Sequence, residues 1–263
     1  MIVHPTKSVA KKNLIIAFVV LLVLGGTILY MRRGETPADR ASQNLQSNSQ
    51  QTNSKPNENS NNTSNSALPE KLQLTVPFTA QAPTANWDEL HNEACEEASA
   101  IMVNASFNNI TSLPPVTVEK EIDKLTKWQQ ENLGYHLSIN TDEVVQMINA
   151  NYGKVGGIKA ETAQISEATI KNALAEKKLI IVPVNGQMLG NPNFKQPGPI
   201  YHMFVITGYD SKNFITNDPG TRKGENYKYT YRTIEAATGN WESGPHAVNL
   251  NDKRIIIVSL NSI

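Results

Sequence analysis

An uncharged apolar run near the N-terminus most strongly limits how this chain can fold. Residues 14–31 read LIIAFVVLLVLGGTILYM, and about 20 such residues suffice to cross a hydrocarbon core of ~30 Å as a helix. We therefore expect a short N-terminal segment at residues 1–13 and a transmembrane helix at residues 14–31. A cleaved secretory signal is the alternative, although Arg32 and Arg33 stand where a small-residue cleavage site would be. Both interpretations predict that the rest of the chain is exported.

The segment after this run is dominated by Asn, Ser, Gln and Thr. It covers residues 32–68 and includes QNLQSNSQQTNSKPNENSNNTSNS, which offers too little apolar surface to offset the entropy of an ordered chain. We expect a disordered linker that holds residues 69–263 near the membrane. The predicted location is the cell membrane, with a single pass and the C-terminal domain outside the cell. The membrane itself is then one partner of the protein.

The composition excludes several classes of function. Lys+Arg and Asp+Glu both number 24, and no basic stripe alternates with aromatic residues, so we do not expect a nucleic-acid partner. The chain has one cysteine, which excludes an intrachain disulfide, a multi-cysteine zinc site and a dithiol redox pair. Cys95 is therefore either a small buried hydrophobic residue or a reactive thiol.

Residues 69–263 divide into a helical part followed by strands. Apolar residues recur at helical spacing after Cys95, around Val118–Leu125 and around Ile170–Leu174, while Asn140 and Glu143 resemble a capping box before another helix. Five later segments have the length and composition of strands: Leu179–Val184, His202–Tyr209, Phe214–Asn217, Tyr227–Thr230 and Arg254–Leu260. The order predicts an α+β domain with helices first and an antiparallel sheet after them. A Gly- and Pro-rich loop at residues 186–199 is long enough to be functional.

Cys95 is predicted to lie at the beginning of a helix. That position, together with an imidazolium partner, would lower the pKa of a thiol from ~8.5. Glu93, Glu96 and Glu97 oppose this effect because they add negative charge around the sulfur. A buried, inert cysteine is the competing interpretation of this position alone.

His202 is the best candidate for a base that could activate the thiol. It opens an apolar strand next to the Gly/Pro loop, whereas His91, His136 and His246 lie in polar, loop-like segments. Asp218 ends the following strand, where antiparallel pairing would bring it beside His202. A second acid near this strand, Asp210, belongs to the predicted hairpin turn instead.

Several blocks of the sequence resemble the bacteriocin-processing, double-glycine-leader type of papain-like cysteine peptidases, in its stand-alone branch. The resemblance spans most of residues 76–260 and rests on these motifs: VPFTAQ at 76–81, Trp87, ACEEAS at 94–99, HMFVITGYD at 202–210 and NDPG at 217–220. It implies the papain-like fold, with the order Gln, Cys, His, Asp along the chain. It further implies Cys95 as nucleophile, His202 as general base, Asp218 as the acid that orients the base, and Gln81 as a donor to the oxyanion.

The function that the resemblance implies is that of a membrane-anchored thiol peptidase acting on a peptide or protein substrate. The family usually has Gly directly after the nucleophile, where this chain has Glu96. Neither a metal nor an organic cofactor is expected. Two alternatives stay open: an acyltransferase of the same fold, and a catalytically silent domain that binds peptides or cell-wall components.

Overall fold

The computed structural model describes residues 68–244 and 246–261 of the 263-residue chain. The N-terminal segment, the predicted transmembrane helix and nearly all of the predicted linker lie outside the described residues. Within the described ranges, no helix combines the length and the apolar character needed to span a bilayer.

Helices dominate the first half of the described chain, as predicted. The helices are α1 (Glu89–Asn92), α2 (Cys95–Phe107), α3 (Pro115–Asn132), α4 (Thr141–Gly156), α5 (Glu167–Ala175) and α6 (Tyr231–Ala237). The predicted capping box before α4 is confirmed, because the Asn140 side chain accepts from the Glu143 backbone N–H and the Glu143 side chain accepts from the Asn140 N–H. Together, α2, α3 and α4 form the helical part that follows the cysteine.

The other main element is an antiparallel sheet of seven strands. Its strands are β1 (Leu72–Gln73), β2 (Ile158–Gln164), β3 (Leu179–Val184), β4 (His202–Tyr209), β5 (Asn213–Asn217), β6 (Tyr227–Thr230) and β9 (Arg254–Leu260). The order across the sheet is β2-β9-β3-β4-β5-β6, and β1 adds to β4. A separate two-stranded ribbon pairs β7 (Asn240–Glu242) with β8 (Ala247–Asn249). The α+β class predicted from the sequence is thus observed in the described residues.

The central strands are buried on both faces, which explains their nearly continuous apolar sequences. Side chains of successive strand residues point to opposite faces. In β4, Met203 and Val205 pack with the core formed by α2, α3 and α4, whereas Phe204 and Ile206 pack with the core that contains α5 and α6. The sheet therefore separates two hydrophobic cores.

Strand pairing places the predicted base and acid at one edge of the sheet. β4 and β5 are antiparallel, with Val205 opposite Asn217. The beginning of β4 and the end of β5 therefore lie together, and His202 and Asp218 extend from those two ends.

Candidate active site

Cys95 is the first residue of α2 and is buried. The first backbone N–H groups of a helix have no partner within the helix, so they point towards the space beside Cys95 and give it partial positive charge. The thiol does not face solvent. Its Sγ donates to Oε2 of Glu96 at 3.0 Å.

This environment stabilises the neutral thiol. Burial, followed by the charge of Glu96 and its hydrogen bond, raises the pKa of Cys95 well above its usual value. The backbone of Met203 acts in the opposite direction and lowers the pKa of the thiol. The sulfur therefore lies beside the first residues of β4.

His202 begins β4 and is bonded to Asp218 as the sequence analysis predicts. Its Nε2 lies 2.7 Å from Oδ1 of Asp218, and both side chains are buried. The imidazole packs edge-on against Phe194, with the ring centroids 5.3 Å apart. A Cβ at Gly220 would lie 2.8 Å from Cε1 of His202, so a glycine is needed there to make room for the ring. The bond to Asp218 occupies Nε2, and no hydrogen bond of the second ring nitrogen, Nδ1, is found among the described residues.

Asp218 is held by several donors in addition to His202. Its Oδ1 also accepts from the backbone N–H of Gly220 at 3.0 Å. Its Oδ2 accepts from the Tyr229 hydroxyl at 2.5 Å and from Nδ2 of Asn191 at 3.4 Å. Asn191 also donates to the Tyr229 oxygen at 2.7 Å. These donors fix the orientation of the Asp218 carboxyl group beside the imidazole.

Cys95 and His202 flank the beginning of β4, but no hydrogen bond joins them in the described part of the chain. The sulfur is bonded to Glu96, while the imidazole packs against Phe194. The structure therefore forms the predicted His202–Asp218 pair and leaves the thiol outside it.

Gln81 lies close to the loop that contains Asp218, since its backbone N–H donates to the Pro219 carbonyl at 3.0 Å. Its side-chain Nε2 donates to the carbonyls of His91 and Asn92 at 2.9 and 3.0 Å. The Gln81 Oε1 is buried and has no hydrogen-bond partner in the part of the chain that the structure describes. Both amide hydrogens are thus already used, so the oxyanion-donor role of Gln81 stays a prediction that requires one of these bonds to open.

His91 was predicted to lie in a loop-like segment, and this prediction was wrong. His91 belongs to α1 and is buried between Asp88 and Glu119, with both nitrogen–oxygen distances 2.7 Å. The hydrogen bonds of these two carboxyl groups raise its pKa, against the effect of burial. Asp210 lies in the β4–β5 turn as predicted, where its Oδ1 accepts from the backbone N–H groups of Lys212 and Asn213.

An open pocket of about 640 Å³ adjoins this region. Glu93, two residues before Cys95, lines it together with Ser138 and Trp241. Trp241 packs on Tyr201, the residue that precedes His202, with ring centroids 5.4 Å apart. Neither Cys95 nor His202 is among the residues that line this pocket.

Sequence reasoning missed Asn191 and Tyr229. Asn191 belongs to the Gly/Pro loop that was singled out for its length, but nothing local distinguishes it from Asn193 two residues later. Tyr229 lies on a strand whose alternation predicts only a buried face. Both residues are recognisable as part of the site only once β5, β6 and the loop are placed in space.

A family model described as Peptidase_C39 like family matches residues 73–245 of the chain. Among solved structures, a crystal structure of a candidate C39-like peptidase from Bacillus anthracis is similar, at 14% sequence identity and a TM-score of 0.48. That match covers 74% of this chain and 100% of the other. No curated protein matches the chain.

Proposed function

The chain belongs to the Peptidase_C39-like family, and from this premise we propose that it is a thiol peptidase that cleaves peptide bonds through an acyl-enzyme on Cys95. The observation that carries the proposal is the buried His202–Asp218 pair at the beginning of β4. Because Nε2 of the imidazole is bonded to Asp218, Nδ1 is the nitrogen that can take a proton from a nucleophile. The backbone of the next residue, Met203, acts on the thiol and lowers its pKa.

The first step of this mechanism moves the thiol from Glu96 to His202. Rotation of the Cys95 side chain would exchange the hydrogen bond to Glu96 for one to Nδ1, and the imidazole would take the proton. The resulting imidazolium is stabilised by the carboxylate of Asp218, and the thiolate by the N-terminus of α2. Binding of substrate beside the nucleophile supplies the free energy for this exchange.

The next steps follow the usual course of acyl transfer. The thiolate attacks the peptide carbonyl, and the resulting oxyanion accepts a hydrogen bond from the backbone N–H of Cys95. It accepts a second one from the side-chain amide of Gln81, once that amide has released one of its present carbonyl partners. The imidazolium then gives its proton to the leaving amine. Finally, a water molecule whose proton passes to His202 attacks the thioester, which frees the product acid and the thiol.

A second function, a catalytically silent peptide-binding domain, is favoured by one observation. The thiol is buried and bonded to Glu96, and burial raises its pKa well above the usual value. A protein that never exchanges this bond would bind peptides in the pocket beside Glu93 without cutting them.

We also propose that residues 14–31 anchor the domain in the cell membrane and that the domain acts outside the cell. This part of the proposal is supported by the sequence alone. It rests on the apolar run and on the polar composition of residues 32–68.

Peptide cleavage by the wild type, measured beside Cys95→Ala and His202→Ala, tests the proposed activity. We expect the wild type to cut a peptide library and to react with an electrophilic thiol probe, and both variants to lose cleavage by at least ~10³-fold. Product analysis with an added amine acceptor separates hydrolysis from acyl transfer. A wild type that neither cleaves peptides nor reacts with the probe would establish the silent domain instead.

A further inference from the structure

Two adjacent carboxyl groups, Glu96 and Glu97, are buried at the beginning of α2, beside the nucleophile. Each is at most 2% exposed. Oε1 of Glu96 accepts from the Ile139 backbone N–H at 3.1 Å, and Oε2 of Glu96 contacts Cys95 Sγ at 3.0 Å. On Glu97, Oε1 accepts from Nε2 of Gln129. Every partner of these two carboxyl groups is therefore neutral.

Among the described residues, no cationic side chain offsets the negative charge of Glu96 or Glu97. None of the ion pairs in residues 68–244 and 246–261 includes Glu96 or Glu97. The N-terminus of α2 contributes only about half a positive charge, which does not balance two buried carboxylates and a thiolate. Burying a charge without a partner costs so much that the group binds a proton instead.

Two buried oxygens bear on the protonation of Glu97. Among the described residues, neither Oε2 of Glu97 nor Oε1 of Gln129 has a hydrogen-bond partner. A carboxylate oxygen and an amide oxygen both only accept, so they cannot bond to each other. A proton on Oε2 of Glu97 would supply the donor that Oε1 of Gln129 lacks. The second hydrogen of the Gln129 amide is already directed to Sδ of Met147 at 3.1 Å.

We propose that Glu97 is a carboxylic acid closed into a cyclic acid–amide pair with Gln129, and that this pair removes a negative charge from the surroundings of Cys95. Gln129 is then a positioning residue for the nucleophile. The importance of the pair for catalysis rests on the proposed peptidase function, but the protonation of Glu97 does not. Burial raises the pKa of Glu97 to about 7, in agreement with an acid form at lower pH.

Other titratable groups face the pair from three sides. Glu93, Cys95 and Glu96 lie on the same turn, and Glu93 accepts from the Ser138 hydroxyl at 2.7 Å. From α4, Tyr152 approaches Glu97, but its hydroxyl donates to Glu121 of α3, and Lys124 lies over its ring. Tyr201, which precedes β4, faces Glu96 and Cys95. The carboxyl groups in this set reinforce protonation of Glu97, because each adds negative charge.

Glu97→Gln is the natural test, because glutamine reproduces the shape and both hydrogen bonds of the acid form without its proton. We would compare the infrared spectra of the full chain and of this variant at pH 6, with Glu93→Gln as the matched control. We expect Glu97→Gln, and not Glu93→Gln, to lose a carbonyl stretch of a protonated carboxylic acid. Loss of a carboxylate band at pH 6 in Glu97→Gln, or no change in its spectrum, would overturn the proposal.

The rate at which iodoacetamide labels Cys95 measures the effect on the nucleophile. At pH 6 we expect the wild type and Glu97→Gln to agree within about twofold, because neither carries a charge at this position. At pH 8 the wild-type Glu97 is ionised, so the variant should react several-fold faster. A variant that is faster by the same factor at both pH values would contradict the proposal, since Glu97 would then be charged at pH 6.

If Glu97→Gln does not fold, the wild type labelled with ¹³C at its glutamate carboxyl carbons provides the decisive measurement. We expect the Glu97 carboxyl resonance to stay in the acid form up to about pH 7, beside that of Glu96, whose pKa is also raised mainly by burial. Titration of Glu97 near its ordinary pKa would overturn the proposal. A wild type that shows the acid form but cleaves no peptide would leave the pair intact and refute the peptidase function alone.

Discussion

At the scale of single residues, the orientation of Asp218 depends on Tyr229. The Tyr229 hydroxyl donates to Oδ2 at 2.5 Å, while His202 occupies Oδ1. A hydrogen bond to a charged group contributes about 1.5–3 kcal/mol, so Tyr229→Phe should lower kcat roughly ten- to a hundredfold with little change in KM. The low-field proton NMR signal of the His202–Asp218 hydrogen bond should shift as well. Tyr227→Phe is the control, because Tyr227 adjoins Tyr229 with ring centroids 4.8 Å apart and does not contact Asp218 through its hydroxyl.

A change at Asp218 itself should distinguish orientation of the base from its charge. Asn can still accept from Nε2 of His202 but lacks the negative charge, so we expect a moderate loss of turnover in Asp218→Asn and a severe loss in Asp218→Ala. The comparison is Asp210→Ala, which removes the acid of the β4–β5 turn and should spare kcat. A greater loss in Asp210→Ala than in Asp218→Ala would reverse the assignment of the acid.

The predicted site residues were recognisable from sequence to different degrees. His202 and Asp218 could be paired because antiparallel neighbours bring a strand beginning and a strand end to one edge, which is a local argument. The hydrogen bond between the Cys95 thiol and Glu96 was not foreseen. From the sequence, Glu96 is recognisable as a nearby charge, but its burial and its bond to the sulfur are evident only in the folded chain. Gln81 shows the same limit, since its two carbonyl partners become evident only in the folded chain.

At the scale of elements, the helices and central strands were predictable because their burial is reflected in local periodicity. Leu179–Val184 and His202–Tyr209 have the bounds expected from their apolar sequences. The strand Ile158–Gln164 was missed, because IKAETAQ has few β-branched or aromatic residues. It is a strand because it pairs over its full length with Arg254–Leu260, a contact that no local window contains. Tyr231–Ala237 was missed for a different reason, since it is a short helix that directly follows a strand.

The beginning of α2 should make the stability of the domain depend on pH. Burial raises the pKa of Glu97 from its ordinary value of 4.5 to about 7, so the folded state binds more protons than the unfolded state between these values. Stability contributed by this group is therefore present below about pH 4.5 and falls as the pH rises through 7. Glu97→Gln lacks this dependence. We expect its Tm to exceed that of the wild type by a margin that grows from pH 5 to pH 8.

Thermal unfolding of three proteins, wild type, Glu97→Gln and Glu93→Gln, measures this margin. Glu96 also has a raised pKa, caused by burial and then by the charge of Glu97, so relief of Glu96 adds to the margin in Glu97→Gln. Glu93→Gln keeps Glu97 and should therefore lose stability with rising pH as the wild type does, displaced only by the smaller effect of the Glu93 charge on Glu97. A constant difference in Tm between wild type and Glu97→Gln from pH 5 to pH 8 would show that Glu97 does not titrate in this window.

At the scale of the whole molecule, the segment at residues 69–74 is fixed to the central sheet. The first described residues are already attached to the sheet: the Tyr209 hydroxyl donates to the Pro69 carbonyl at 3.0 Å, and the Leu74 N–H donates to the Thr207 carbonyl at 2.8 Å. Backbone that is paired in a sheet resists proteolysis, because cleavage requires it to open. Cleavage sites within the domain should therefore be protected from about residue 69 onwards.

Limited proteolysis of intact cells combines these expectations about the anchor, the linker and the domain. If residues 14–31 span the membrane with the C-terminal part outside, an added protease should cut within residues 34–68 and release a soluble fragment. This fragment should begin in that window, extend to the C-terminal region and retain the thiol-probe reactivity of the full chain. Mass spectrometry of the released material locates the cut, and a cytoplasmic protein serves as the control for lysis. A domain that is released only after the cells are broken would show that the proposed orientation is wrong, whereas a domain found free in the medium before protease is added would favour a cleaved signal over an anchor.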